Sequence, residues 1–335
     1  VVAQELADIS QETGEEVVTP PDELVLKGGS RILGTITSAR DGVVEIETAY
    51  AGVLSIDATA IESLNSQTPA TLLFTDDTVI IDRPVRIAGG QLVVEEPDQT
   101  FPLESLAVVN PEPWELGDGY NWTGLLSFAL VMERGNTDTD ELDYKLETAW
   151  ESTRDRYRLD ANGEIDEANG EKTADNWNLV GKWDYFLTDP NYWGMQLGAE
   201  KDKFRDIDLR ALVGPYYGRQ ILDEPILKFS AEVGASYVDE NFNVAEDQDY
   251  VAANWFFDAS SDYLGGDSKI YFKQFGLWNL DETSDVVINT TLGLSFPLLF
   301  DFEAAAEALW EYDSGAVDDV DDLDETYRVR IGYSW

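Results

Sequence analysis

The residues best placed to do chemistry in this chain are carboxylates and cations that recur at every second position of its C-terminal part. Asp143, Lys145 and Glu147 alternate in this way, as do Arg156, Arg158 and Asp160, and then Lys182 and Asp184. Glu200, Arg210, Lys228 and Glu232 follow, then Lys269 and Lys273, Glu303 and Glu307, and finally Arg328 and Arg330. A period of two puts such residues on one face of a β-strand. Opposite charges drawn out of bulk water must pair, so the chemistry this pattern implies first is an interstrand ion-pair network. Close carboxylates such as Glu303 and Glu307 are also the residue types that share acid and base roles in glycoside hydrolysis, but no substrate cleft can be read beside them.

The chain has no histidine and no cysteine. Without histidine there is no side chain that titrates unperturbed between pH 5 and 8, and Ser-His-Asp, Cys-His and HExxH chemistry are excluded. Without cysteine there are no disulfides, thiolate zinc sites, iron–sulfur clusters or lipid-modified N-terminal cysteine. The expected protein is not an enzyme and needs no organic cofactor.

Among its 335 residues, 67 acidic against 22 basic side chains give a formal charge of 22 − 67 = −45. That balance argues against nucleic acid as a partner, because such binding rests on lysine and arginine neutralising phosphates. Ten Trp, 15 Tyr and 14 Phe set the composition apart from an acidic disordered chain. The longest apolar runs, such as Leu125 to Met132, are of strand length, which excludes membrane-spanning helices.

Residues 1–21 read as a flexible acidic leader closed by Pro20-Pro21. Val1-Val2-Ala3 is what a small-residue cleavage site would leave. Residues 22–66 and 67–110 then read as two β modules. Leu24-Val25-Leu26 is answered by Leu72-Leu73-Phe74, Gly42-Val43-Val44-Glu45 by Gly90-Gln91-Leu92-Val93, and Leu54-Ser55-Ile56-Asp57 by Phe101-Pro102-Leu103-Glu104, an offset of about 47 to 48 residues. The expectation is a tandem of small β-barrels or rolls, a type of module that binds partners through exposed strand edges. Residues 111–119, with Pro111 and Pro113, form the linker.

The elements that position the ionisable residues lie in residues 120–335, where about twelve segments alternate apolar and polar. Trp122, Leu126, Phe128 and Leu130 oppose Asn121, Thr123 and Ser127; Phe302, Ala304, Ala306 and Trp310 oppose Glu303, Glu307 and Glu311. Alternation alone also describes a soluble antiparallel sheet. Trp122, Trp150, Trp177, Trp193, Trp278, Trp310 and Trp335 fall at the ends of the apolar faces, as in the girdles of an outer-membrane barrel. Connections such as Thr188 to Asn191 are short, whereas Glu133 to Glu141, Glu164 to Asp175, Asp239 to Asp249 and Glu311 to Glu325 read as longer acidic loops. The fold class expected is therefore all-β: a transmembrane antiparallel β-barrel of about twelve strands, preceded by periplasmic β modules.

The closing strand Tyr327 to Trp335, with Tyr333 and the terminal Trp335, resembles the C-terminal signal read by the barrel assembly machinery. Arg134-Gly135-Asn136-Thr137, Asp184 to Asp189 and Gly198 to Arg210 resemble a domain-of-unknown-function family whose members are described as salt-induced outer-membrane proteins. The likeness covers the barrel half. It implies an outer-membrane barrel in contact with outer-membrane lipid and brings no catalytic residues.

Two functions are consistent with this reading. One is a structural or docking protein of the bacterial envelope, whose periplasmic modules bind another envelope protein. The other is a narrow cation-preferring porin, since twelve strands lie between barrels filled by side chains and barrels with an aqueous channel. Asp318, Asp319, Asp321, Asp322 and Asp324 are candidate oxygen ligands for calcium or magnesium, although they lack the EF-hand spacing. The alternative is a solvated acidic surface, whose self-repulsion high salt would relieve. The acidic surface suggests a bacterium of salty water.

Overall fold

The computed structural model describes residues 21–40, 42–88, 91–95, 99–133, 139–224, 226–266, 268–315 and 321–335. The predicted leader, apart from Pro21, therefore lies outside the described residues, as does Arg134-Gly135-Asn136-Thr137. The chain divides into two compact units, Val1–Glu112 and Pro113–Trp335.

The N-terminal unit contains β1 (Asp22–Leu26), β2 (Arg31–Arg40), β3 (Val43–Thr48), β4 (Gly52–Asp57), β5 (Ile61–Asn65), β6 (Ala70–Phe74), β7 (Val79–Arg83), β8 (Val85–Ala88), β9 (Gln91–Val94), β10 (Gln99–Pro102) and β11 (Leu106–Val109). The repeat is visible in its pairings. β1 pairs with β2 and β5, and β3 with β2 and β4; the second half answers with β6 paired to β7 and β11, and β9 to β8 and β10.

The two predicted modules are nevertheless halves of one unit. β5 pairs with β8 of the second half, and β11 of the second half pairs with β2. Leu24, Ile36, Ile46 and Leu64 share a single buried core with Leu72, Phe74, Leu92 and Val109. Neither half, at about 45 residues, could bury enough apolar surface alone. The repeat offset also differs from expectation in its later part. Val43 pairs with Asp57 where Gln91 pairs with Pro102, so Asp57 corresponds to Pro102 rather than to Glu104. The second hairpin has the shorter strands, 4 residues each against 6.

The C-terminal unit is a closed antiparallel barrel of twelve strands, β12 to β23 in sequence order. They are β12 (Asn121–Glu133), β13 (Thr139–Glu151), β14 (Asp155–Ala168), β15 (Glu171–Thr188), β16 (Asn191–Asp202), β17 (Ile207–Asp223), β18 (Leu227–Phe242), β19 (Gln248–Ser261), β20 (Lys269–Asn279), β21 (Val286–Pro297), β22 (Phe302–Asp313) and β23 (Leu323–Ser334). We call the end where β12 begins and β23 finishes the terminal rim, and the other end the distal rim.

Outward positions carry exposed apolar side chains all round, among them Leu126, Phe128, Leu197, Val233, Leu292 and Val329. Trp122, Trp150, Trp193 and Trp335 lie near the terminal rim, and Trp177, Trp278 and Trp310 near the distal rim. From Phe302 to Tyr312 on β22 the outward face rises roughly 33 Å along the strand, or about 25 Å along the axis of a tilted wall, the height of a hydrocarbon belt.

The acidic stretches on the distal side are largely strand, contrary to the expectation of long loops. β14 and β15 continue to Ala168 and from Glu171, joined by Asn169-Gly170 with φ of 54° and 82°. Such an Asn-Gly pair matches the twist of a tight hairpin. The Glu164 to Asp175 segment stays paired as strand, with one register shift between Asp166 and Glu167, because its inward carboxylates face the lumen, so the acid does not break the strand. β18 likewise extends to Phe242 and β22 to Asp313.

Candidate functional site

Inward-facing charges meet at three places in the barrel. Nearest the terminal rim, Asp184 on β15 takes Arg156 Nε at 2.7 Å and Arg158 Nη2 at 3.0 Å, and accepts the Tyr216 hydroxyl. Arg158 also reaches Glu232 on β18 at 2.6 Å, where Lys182 Nζ joins at 2.6 Å and the Tyr192 hydroxyl donates at 3.0 Å. Lys182 sits 4.2 Å from the centre of the Phe256 ring, a cation–π contact that covers the remaining side of the ammonium. Asp184 is wholly buried. Two carboxylates thus serve three cations, with tyrosines filling the remaining acceptor sites.

On the facing wall, Glu307 of β22 accepts Lys145 at 3.0 Å, Arg330 at 2.8 Å and the Tyr271 hydroxyl at 2.8 Å. Lys145 also lies 3.5 Å from Glu147, which pairs with Lys273 of β20. β13 and β20 lie on nearly opposite sides of the barrel, so the Glu147–Lys273 pair crosses the bore.

A second crossing lies nearer the distal rim. Arg210 on β17 binds Glu240 at 2.5 Å, Glu200 at 3.4 Å and, across the lumen, Asp313 of β22 at 3.2 Å, which Arg205 also reaches at 3.0 Å. Arg328 pairs separately with Asp143 at 2.9 Å, passing behind β12. Glu307, joined to the first crossing through Lys145, and Asp313 of the second lie on one strand, roughly 20 Å apart along it. Between them remains a cavity of about 260 Å³, lined by Asp160, Asn289, Glu311 and Arg328 among polar groups and by Leu212, Phe275 and Leu277 on its apolar side.

Not every predicted lumen residue belongs to this network. Lys228 sits exposed at the terminal rim, paired with Asp223 at 3.3 Å over the β17–β18 turn. Lys269 is exposed at the same rim. Neither it, Asp160 nor Glu303 has an ion-pair partner within 4.0 Å among the described residues. The alternation rule gives the face a side chain takes but not how far its strand has already emerged from the wall. The sequence pattern misses Arg205, Glu240 and Asp313, the last two because their segments read as acidic loops, and it misses the tyrosines 192, 216, 250 and 271, which carry no charge. For the tyrosines, positions on the inward face of each strand were the available signal.

Tyr333 and Trp335 close the barrel. Trp335 exchanges both backbone hydrogen bonds with Gly124 at 3.0 Å, and its indole packs against the rings of Trp122 and Tyr333. Of the candidate metal ligands, Asp318 and Asp319 lie outside the described residues, while Asp321, Asp322 and Asp324 are exposed. No group of three or more acidic side chains arranged to hold a metal occurs among the described residues.

No curated protein matches this sequence. Solved structures that resemble it include the NanC porin, 11% identical, covering 63% of this chain and 98% of that one with a TM-score of 0.40. The translocator domain of the autotransporter NalP from Neisseria meningitidis is 8% identical, with 65% and 88% covered and a TM-score of 0.35. The outer membrane channel DcaP of Acinetobacter baumannii is also 8% identical, with 94% of each chain covered and a TM-score of 0.30. Residues 126–335, from β12 to the C-terminal Trp335, match the model of one protein family, and the chain belongs to that family, described as "Protein of unknown function, DUF481".

Proposed function

We propose that this protein is a non-enzymatic β-barrel of the bacterial outer membrane, with its N-terminal unit in the periplasm, where that unit docks another component of the envelope. The observation that carries the reading is the pair of crossings, Glu147–Lys273 and Arg210–Asp313, inside a wall whose outside is apolar all round. Polar groups inside and an apolar belt of about 25 Å outside suit a wall that faces lipid. An even number of strands returns the chain to the rim where it entered, so both barrel termini share one side. A bore bridged twice by paired charges, Arg210–Asp313 buried and Glu147–Lys273 half-buried, favours an anchor over an open channel, which leaves interaction to the N-terminal unit.

The purified protein in planar bilayers is expected to be silent while stably inserted. Stepwise, cation-selective conductance would overturn the closed-bore reading in favour of a narrow pore, for which the cavity between the crossings is the specific support. Co-purification from crosslinked envelopes tests docking: removal of residues 1–112 should deplete a partner, and an unchanged partner list would reject it.

A further inference from the structure

The N-terminal unit leaves three strand edges with no neighbour among the described residues: β4, β7 and β10. They are not equivalent. β10 ends in Pro102, which has no N–H to offer an added strand, and spans only Gln99–Pro102. β7 is bent by Asp82, whose φ is 50°, and is broken at Pro84. A flat incoming strand cannot follow such an edge. β4, Gly52–Asp57, is the longest of the three, contains neither proline nor lysine, and follows β3 in unbroken register from Val43↔Asp57 to Thr48↔Gly52. The repeat supplies an internal comparison, because β10 is the counterpart of β4, and only β10 carries the protecting proline.

On β3, β4 and the turn between them every charged side chain is acidic, while two cations stand at the Asp57 end of the strand: Lys27 close to Asp57, and Arg40 opposite Val43 in the same cross-strand row. No Lys or Arg occurs between Arg40 and Arg83. Glu45 and Glu47 of β3 lie beside Ser55 and Val53 of β4, with Asp57 on the same face and Tyr50 exposed at the hairpin turn. Leu54 and Ile56 face the other way, toward the core. A strand added at this edge would therefore place alternate side chains beside an acidic outer face and an apolar inner one. A second copy of the β4 edge would bring like charges together, which disfavours self-pairing.

We propose that β4 is a β-augmentation site for an extended segment of a basic partner, one that alternates Lys or Arg with apolar residues; the proposal rests on the docking reading above and names the partner's chemistry. Main-chain hydrogen bonds would supply affinity, and the carboxylates would set register and specificity.

The test uses the full chain in detergent and three fluorescent eight-residue peptides in which Val alternates with Lys, Glu or Ser, followed by anisotropy. The Val/Lys peptide should bind about tenfold tighter than the Val/Glu peptide, with an advantage that falls as salt rises. Ser55→Pro in β4 should abolish binding, while Thr100→Pro in β10 should not. Glu47→Lys should reverse the preference toward the Val/Glu peptide, which keeps the test decisive if the proline variant fails to fold. Equal binding of all three peptides, binding unchanged by Ser55→Pro in a folded protein, or self-association lost in that variant would each overturn the proposal. If the peptides do not bind but removal of residues 1–112 still depletes a partner, the edge is rejected and the docking reading stands.

Discussion

At the scale of residues, the barrel interior depends on carboxylates that each hold more than one cation. Glu232 is the clearest case, since among the described residues Lys182 has no other ion pair and Arg158 shares only Asp184 besides. Removing one partner of a buried pair leaves the other charge uncompensated, a loss of about 3–5 kcal/mol, whereas replacing the whole pair with apolar groups of similar size is close to neutral. Glu232→Ala should therefore lower the thermal unfolding midpoint in detergent strongly. Combining Lys182→Met with Glu232→Leu should recover much of that loss, and failure to recover would show that packing rather than charge dominates. Asp22 plays a comparable part in the N-terminal unit. Fully buried, its carboxylate accepts Ile36 N at 2.8 Å, Gln67 N at 2.8 Å, Thr68 N at 3.0 Å and Ser66 Oγ at 3.1 Å, tying β1 to β2 and to the segment after β5. Nothing in its neighbourhood in sequence distinguishes it from the many surface aspartates of this chain, because its partners lie 14 or 44 to 46 residues away.

At the scale of elements, the barrel seam is the point of interest. β12 and β13 pair along 13 residues each, but β12 and β23 pair only from Leu125↔Ser334 to Phe128↔Ile331, with Gly124 and Trp335 closing the row. Closure is thus concentrated near the terminal rim, where the Trp335 indole lies over Gly124. A Cβ at Gly124 would collide with that ring, while one at Gly181, also on an outward face, would meet nothing within 4 Å. Gly124→Val should therefore reduce the fast-migrating folded form on unheated gels, and Gly181→Val should leave it intact; equal behaviour would mean that the terminal indole does not control closure. The strands themselves were legible because alternation is a local property, and so was the N-terminal repeat, because buried Leu24 and Leu72 recur in matching surroundings. The exchange of β5 and β11 between the two halves was not legible, since either half's pattern is satisfied equally by its own sheet or its partner's. Likewise the acid of Glu164 to Asp175 reads as loop until an aqueous lumen gives those carboxylates a face. The crossing of the bore by Glu147 and Lys273 could not be read from spacing, because it depends on strand tilt around the whole ring.

At the scale of the whole molecule, the charge of −45 is unevenly placed. The cations are concentrated in the lumen, where Lys145, Arg156, Arg158, Lys182, Lys273 and Arg330 are each paired, so the excess acid is left to the strand extensions, connections and N-terminal unit. Like charges on an exposed surface repel over a distance set by the Debye length, which falls from roughly 10 Å at 0.1 M salt to about 3 Å at 1 M. The buried pairs are screened much less because little solvent separates them. Added salt should therefore relieve the surface repulsion while leaving the lumen pairs nearly intact, and the sign of the net effect is stabilising. Sodium chloride is expected to raise the unfolding midpoint in detergent. The candidate aspartates from Asp318 to Asp324 add a second comparison, calcium chloride against sodium chloride at equal ionic strength. Screening alone predicts equal midpoints, whereas oxygen ligation of a divalent ion predicts a saturable extra rise with calcium that Asp321→Asn and Asp322→Asn diminish. A midpoint unmoved by either salt would mean that the acidic surface does not limit stability, and would remove the physical basis for linking this composition to a salty environment.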